Sequence, residues 1–70
     1  MNTLKVNELA LRMGQILEGE DTLEAGAAIG LLVGAFVAGV GGKEKQIREG
    51  VRAIAGDAEH AAVNLYRARN

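Results

Sequence analysis

The chain contains no cysteine, no proline and no tryptophan, and Phe36 and Tyr66 are its only aromatic residues. Without cysteine it forms neither disulfides nor thiolate metal sites. Because proline and most aromatic residues are missing while alanine and leucine are frequent, the composition favours an all-α chain with an aliphatic core. Seventy residues make one small domain at most, and chains of this size often need oligomerisation to be stable.

Residue types that carry catalysis are also scarce. The chain has no serine, and Thr3 and Thr22 supply its only aliphatic hydroxyl groups, so no nucleophile stands beside an activating base. His60 is the single histidine and has Asn64 at i+4 where a second metal ligand would stand, so we interpret it as a solvated surface residue. The segment GVGGKEK lacks the Ser or Thr of a phosphate-binding loop. We therefore expect no enzyme activity, no cofactor, no metal and no small-molecule substrate.

The charges are unevenly distributed along the chain, although the net charge is only −1. Residues 1–24 carry two basic and five acidic side chains, residues 25–42 carry no charge, and residues 43–70 carry six basic and four acidic side chains. Such a weak overall charge argues against a nucleic-acid partner. The order acidic, neutral and basic is typical of a chain that crosses or lines an apolar region.

Residues 3–18 have the pattern of an amphipathic helix. Four apolar residues recur at steps of three and four, and two more widen the stripe: Val6, Leu9, Met13 and Ile16, with Ala10 and Leu17. This period is that of an α-helix with one apolar face. Asn2 or Thr3 can cap its first turn, and Gly19 suits the position just beyond its end, where glycine readily adopts a left-handed conformation.

A second helix is predicted over residues 22–41. Asp21 is followed three residues later by Glu24, which resembles a capping box with Asp in place of Ser or Thr. Both carboxylates would also lie at the positive end of the helix dipole. The helix should therefore start near Thr22, and Gly41-Gly42 is the expected hinge after it, with an unbroken helix through the two glycines as the alternative.

Residues 43–69 predict a third, amphipathic helix. Its apolar residues step by four and three, and we call them the α3 seam: Ile47, Val51, Ile54, Ala58, Ala61 and Leu65. This is the a/d spacing of a heptad repeat. Glu44 with Arg48 and Lys45 with Glu49 are favourable i,i+4 pairs. The seam has two interpretations, which are an ordinary amphipathic helix packed on a neighbour and a self-associating surface.

The uncharged middle of the chain carries small residues at a regular spacing of four: Gly26, Gly30, Gly34, Ala38 and Gly42. Each glycine weakens a helix by about 1 kcal/mol relative to alanine. The presence of several glycines at a regular spacing therefore calls for an explanation. Residues four apart lie nearly above one another on a helix, which gives the predicted helix one smooth side, interrupted only by Leu31. Bulky residues spread over the opposite side: Ile29, Leu32, Val33, Phe36, Val37 and Val40.

Small-xxx-small faces allow helices to approach closely in lipid. The segment GAAIGLLVGAFVAGVGGKEK resembles the glycine-zipper class of small membrane proteins, in which repeated G-x-x-x-G in an apolar span precedes a charged helix. The resemblance implies homo-oligomeric packing through the residues that we call the glycine face, and it implies no enzyme activity. The glycine face comprises Gly26, Gly30, Gly34 and Ala38.

The first functional hypothesis is therefore a small non-enzymatic protein with one transmembrane helix, which could be structural, pore-forming or membrane-perturbing and phage-derived. The eighteen uncharged residues 25–42 would span about 27 Å as a helix, just enough for a hydrocarbon core. The bulky side would contact acyl chains. No signal peptide is expected, because Lys5 and Arg12 lie within a periodic segment. Basic residues concentrate after the span, which predicts a cytoplasmic C-terminus.

The second hypothesis is a soluble, cytoplasmic or virion-associated assembly subunit, such as a viral or filament component, that buries the same helix between copies of itself. Six of the eighteen residues 25–42 are glycine, and no Trp or Tyr flanks the segment, so its insertion into lipid would be only weakly favourable and without interface anchors. Both hypotheses share one partner, which is a second copy of the chain. The lipid bilayer is a partner only in the first.

Overall fold

The computed structural model describes residues 1–69 and consists of three α-helices joined by short turns, with no strand in this range. The helices are α1 (Thr3–Leu17), α2 (Thr22–Val40) and α3 (Glu44–Arg69). The all-α prediction is thus confirmed, and of the two or three helices that the sequence allowed, residues 1–69 form three. Each predicted helix matches an observed one, with differences of one residue at the end of α1, the end of α2 and the start of α3.

Helix α1 is closed at both ends by the expected local interactions. The side-chain oxygen of Asn2 accepts a hydrogen bond from the Lys5 amide at 3.1 Å, so Asn2 and not Thr3 is the N-cap. Glu18 is already extended, with φ −61° and ψ 129°, so the helix ends at Leu17, one residue before the predicted end. Gly19 follows with φ +81°, which confirms the predicted left-handed glycine beyond the helix end.

Helix α2 starts where the sequence predicted. Asp21 caps it, because its carboxylate accepts a hydrogen bond from the Glu24 amide at 3.0 Å. The helix ends at Val40 rather than at Gly41 because Gly41 and Gly42 have φ of +91° and +113°. These backbone angles are available to glycine and rarely to other residues. The predicted hinge is confirmed, and the alternative of an unbroken helix through the two glycines is wrong.

Helix α3 begins one residue later than predicted because Lys43 serves as its cap. The Lys43 amide donates a hydrogen bond of 2.9 Å to Oε1 of Gln46, which is the reciprocal half of a capping box. Within the first turns, Glu44 and Arg48 form the predicted ion pair at 2.7 Å. The other predicted pair, Lys45 with Glu49, is not formed.

The tertiary structure is dominated by the contact between α2 and α3 near the turn that joins them, and we call this pair of helices the α2–α3 hairpin. Val37 of α2, 7% exposed, is the one buried residue among residues 1–69. Around it lie half-buried residues of both helices: Val33 of α2, with Ile47, Gly50, Val51 and Ile54 of α3. The sequence forms this contact because an aliphatic stripe on α3 faces two valines one turn apart on α2.

Candidate functional site: the glycine face of α2

The glycine face is left uncovered by the rest of the chain. A Cβ atom built onto Gly26, Gly30 or Gly34 would meet nothing within 4 Å beyond the helix itself, and Ala38 is exposed. The four residues share one side of α2 because they recur every four positions. The surface is thus smooth, apolar and open to a partner along about three turns.

Helix α3 packs against the C-terminal part of α2, on the side that carries the glycine face and at the edge of that side. At 100° per residue, Val37 lies between Gly26 and Gly30 around the helix, and Val33 lies about 20° beyond Gly26. Both valines face α3, where Val33 is half-buried and Val37 is buried. From the sequence we expected these two valines on the outer, bulky side of α2, in contact with lipid. The hairpin instead occupies them, because α3 offers aliphatic residues and a glycine at the position that faces Val37.

Helix α1 approaches α2 on a third side, around the turn that joins them. Leu17 and Ala25 are half-buried there. An almost wholly apolar cleft of about 210 Å³ separates the two helices. Its lining comes from the last turns of α1 and the middle of α2: Met13, Ile16, Leu17, Ala28, Ile29 and Leu32. With α1 and α3 placed in this way, two sides of α2 remain open: the glycine face and the side that carries Leu31, Ala35 and Gly39.

The α3 seam is divided between two environments. Its first three residues, Ile47, Val51 and Ile54, are half-buried in the hairpin. Its last three, Ala58, Ala61 and Leu65, are exposed, with Leu65 at 62%. The first half therefore packs within the chain, as an ordinary amphipathic helix does. The second half has no cover within residues 1–69, so only this half is available for self-association.

One residue that the sequence analysis did not single out is Gly50. A Cβ at this position would lie 2.9 Å from Cγ1 of Val37, a distance that real Cβ atoms do not tolerate. Gly50 therefore allows the two helices to approach. The sequence did contain an indication of this role. Position 50 lies between Ile47 and Val51 of the α3 seam, inside a predicted helix, where a better helix former than glycine would be expected.

Helix α2 is the one helix in residues 1–69 that is long and apolar enough to cross a membrane, and it lies near the N-terminus. The core helix of a soluble protein and a signal sequence meet the same criteria of length and composition. Only 6% of the apolar window of α2 is buried, whereas the core helix of a soluble monomer is mostly buried. Among its bulky side chains, Leu32, Phe36 and Val40 remain 52%, 63% and 74% exposed.

Ionisable side chains do not gather into a site within the described residues. No group of three or more His, Cys, Asp or Glu residues between positions 1 and 69 could hold a metal ion. His60 is exposed, in a shallow groove along α3 that Glu59, Val63, Asn64 and Arg67 also line.

Comparison with known proteins adds no relative to this picture. No protein-family model matches the sequence, and neither a curated protein nor a solved structure matches the chain. The function is therefore argued from the residues of this chain alone. Three features of the chain bear on its function: the uncovered glycine face, the apolar length of α2 and the charged helix α3 that follows it.

Proposed function

We propose that the chain is a small non-enzymatic membrane protein whose α2 crosses the bilayer once and self-associates through the glycine face. The observation that carries this proposal is the combination of apolarity and exposure in α2. A helix that is apolar on every side is stable when its surroundings are apolar too. The rest of the chain covers little of α2, so lipid or further copies of the chain must supply those surroundings.

Self-association follows from the shape of the glycine face. In lipid, burying apolar surface between two helices releases little free energy, because the surrounding lipid is itself apolar. Helices therefore associate there through close packing and backbone contact. Gly30 and Gly34 lie one turn apart with open space in front of them. A second α2 can thus bring its own backbone against them, whereas a helix with Leu at these positions would be held off by the side chains. The assembly is structural, pore-forming or membrane-perturbing in this proposal.

The orientation is assigned from the basic residues on either side of α2. Arg12 is the nearest basic residue before it, whereas four follow closely after it: Lys43, Lys45, Arg48 and Arg52. Because basic residues near a span are retained in the cytoplasm, α3 is assigned to the cytoplasmic side. Reporter fusions to each terminus test this assignment, and an active periplasmic or lumenal reporter on the C-terminus would contradict it.

Membrane insertion is tested by separating membranes from expressing cells and washing them with alkaline carbonate. A chain with α2 in the bilayer stays with the membranes. Release as a soluble oligomer of defined size would contradict the proposal and favour the second candidate, an assembly subunit that buries α2 between copies. The α2–α3 hairpin is the observation in favour of that candidate. It places a charged helix beside the apolar one, as soluble proteins do.

Self-association is tested with the double variant Gly30→Leu/Gly34→Leu. Its matched control is Ala35→Leu/Gly39→Leu, which adds two leucines at the same spacing on another side of α2, where residues 35 and 39 are exposed and Gly39 has open space. We expect the first variant to be monomeric in mild detergent and the control to keep the size of the unaltered protein. Equal association of both variants would remove the glycine face from the proposal.

A further inference from the structure

We infer that α3, which packs on α2 at Val33 and Val37 in what we call the covered state, must separate from it at Gly41-Gly42 before α2 can cross a bilayer. This inference rests on the proposed function and adds a regulatory step to it. The hairpin and the membrane-spanning form are then two states of one chain. Whatever stabilises the hairpin opposes insertion, because a conformational equilibrium moves only through a difference in free energy between its two states.

The contact that defines the covered state is small and well localised. Val37 is the buried residue at its centre, and a Cβ atom at Gly50 of α3 would lie 2.9 Å from Cγ1 of this valine. Val33, one turn earlier on α2, is half-buried in the same contact. The contact lies in the C-terminal half of α2, beside the glycine face and within the segment that would occupy the bilayer.

The covered state is incompatible with insertion because of the charges on α3. The part of α3 that lies beside α2 carries five exposed charged residues: Glu44, Lys45, Arg48, Glu49 and Arg52. If α2 entered the hydrocarbon core with α3 still folded against it, these groups would enter as well. Charged side chains in the bilayer interior are strongly unfavourable unless they are paired or reach water, and of these five only Glu44 and Arg48 are paired with each other. Helix α3 must therefore separate from α2.

The turn between the helices can permit this separation without unwinding either one. The bond that ends α2 runs from the Gly41 amide to the carbonyl of Ala38 at 3.2 Å. The bond that begins α3 joins Lys43 to Gln46. Each terminal bond stays within its own helix, and the two glycines between them can adopt both signs of φ. Rotation about Gly41 and Gly42 thus moves α3 as a unit.

Opening would also enlarge the surface available for assembly. Val33 and Val37 lie next to Gly30 and Gly34 around the helix, and α3 occupies them in the hairpin. Once released, the valines can pack on a second α2 together with the glycines. Insertion and self-association are coupled in this way, since the same movement removes the charges from the span and completes its contact face.

A reversible cross-link tests the inference, because the chain has no cysteine of its own. The variant Val37→Cys/Gly50→Cys places two thiols in the contact, where the sulfur can take the Cγ1 position beside the new Cβ, as disulfide geometry requires. The matched control is Ala35→Cys/Ala53→Cys, on exposed positions of the same two helices. The full-length variants are diluted from detergent onto phosphatidylcholine–phosphatidylglycerol vesicles, with or without reductant, and then washed with carbonate.

We expect the oxidised Val37→Cys/Gly50→Cys chain to form an intramolecular disulfide and to lose its carbonate-resistant fraction, which reductant restores. The control pair should insert in both conditions. Equal insertion of the oxidised and reduced forms would overturn the inference and leave the span intact, as would failure of the disulfide to form. If the unaltered chain itself does not insert, the proposed function fails and this inference fails with it.

A second variant tests the opposite direction. Gly50→Leu introduces a side chain where even a Cβ would lie too close to Val37, so it should open the hairpin. We expect faster insertion into the same vesicles than for the unaltered chain. The control Gly56→Leu adds the same side chain at a position with open space and should leave the rate unchanged. An unchanged rate for Gly50→Leu would contradict a covering role of α3.

Discussion

Val37 and Gly50 are in contact across the α2–α3 hairpin so closely that a Cβ at position 50 would lie 2.9 Å from Cγ1 of the valine. No other residue among positions 1–69 is as well buried as Val37. The contact therefore joins the most buried side chain in residues 1–69 to a glycine, which has no side chain. A larger residue at position 50 would therefore force the Val37 side chain or the two helices to shift.

Replacing glycines in α3 by alanine should have opposite consequences at two positions. Gly56→Ala adds a methyl group in open space, so we expect it to stabilise the helix by about 0.5–1 kcal/mol. At position 50 the same gain in helix propensity is opposed by the clash with Val37. Urea unfolding followed by circular dichroism should show Gly50→Ala to be less stable than Gly56→Ala. Equal stabilisation by both changes would contradict the close approach.

Replacing both hinge glycines should shift the chain away from the hairpin. Gly41 and Gly42 have φ of +91° and +113°, and an L-residue with a side chain would be strained there by about 1 kcal/mol or more. We expect Gly41→Ala/Gly42→Ala to straighten the junction towards a continuous helix. Spin labels on cysteines at the exposed positions 35 and 53 measure the distance between the helices. It should increase, and an unchanged distance would show that the turn does not depend on glycine.

Removing the cap of α2 should loosen its first turn without disturbing the hairpin. Asp21 accepts the hydrogen bond from the Glu24 amide at 3.0 Å, so Asp21→Ala should destabilise the helix start by about 1 kcal/mol, whereas Asp21→Asn keeps an accepting oxygen. Hydrogen exchange of the Glu24 amide is the direct measurement. We expect faster exchange only in the alanine variant, and equal rates in both variants would exclude a capping role.

Membrane orientation should depend on the basic residues that follow the hinge. Neutralising Lys43, Lys45 and Arg48 to glutamine removes three of the four nearby positive charges after α2. Because orientation follows the distribution of Lys and Arg, we expect a mixed population with part of the C-termini outside the cytoplasm. Tyr66→Phe, far from the span, is a control with unchanged charge. Reporter fusions measure both populations, and an unaltered orientation would mean that other features determine it.

Much of the local structure was predictable from sequence because each helix end is determined by residues close in the chain. The capping side chains of Asn2 and Asp21 and the left-handed Gly19 act within three residues of their position. The one-residue differences at the helix ends arise where a residue serves as a cap instead of the first or last helical residue, as Lys43 does before α3.

The contact between α2 and α3 was not predictable in the same way. Helical period alone indicates that α2 has a smooth and a bulky side, but it does not identify the neighbour of each. At 100° per residue, Val37 lies on the smooth side and Val33 at its edge. Their contact with α3 follows from the turn at Gly41-Gly42 and from the missing side chain at Gly50. Both are long-range consequences of glycine. The oligomeric state lies beyond a single chain and stays a prediction.

The unequal lengths of α2 and α3 have a consequence for assembly. Helix α3 has 26 residues against 19 in α2, so at a rise of 1.5 Å per residue it is about 10 Å longer, and its last turns extend past the hairpin contact. When copies of α2 associate in lipid, these C-terminal arms are tethered side by side in the aqueous phase at high effective concentration. In the proposed assembly, a stripe as narrow as Ala58, Ala61 and Leu65, too small to bring free chains together, would then hold neighbouring C-terminal arms together.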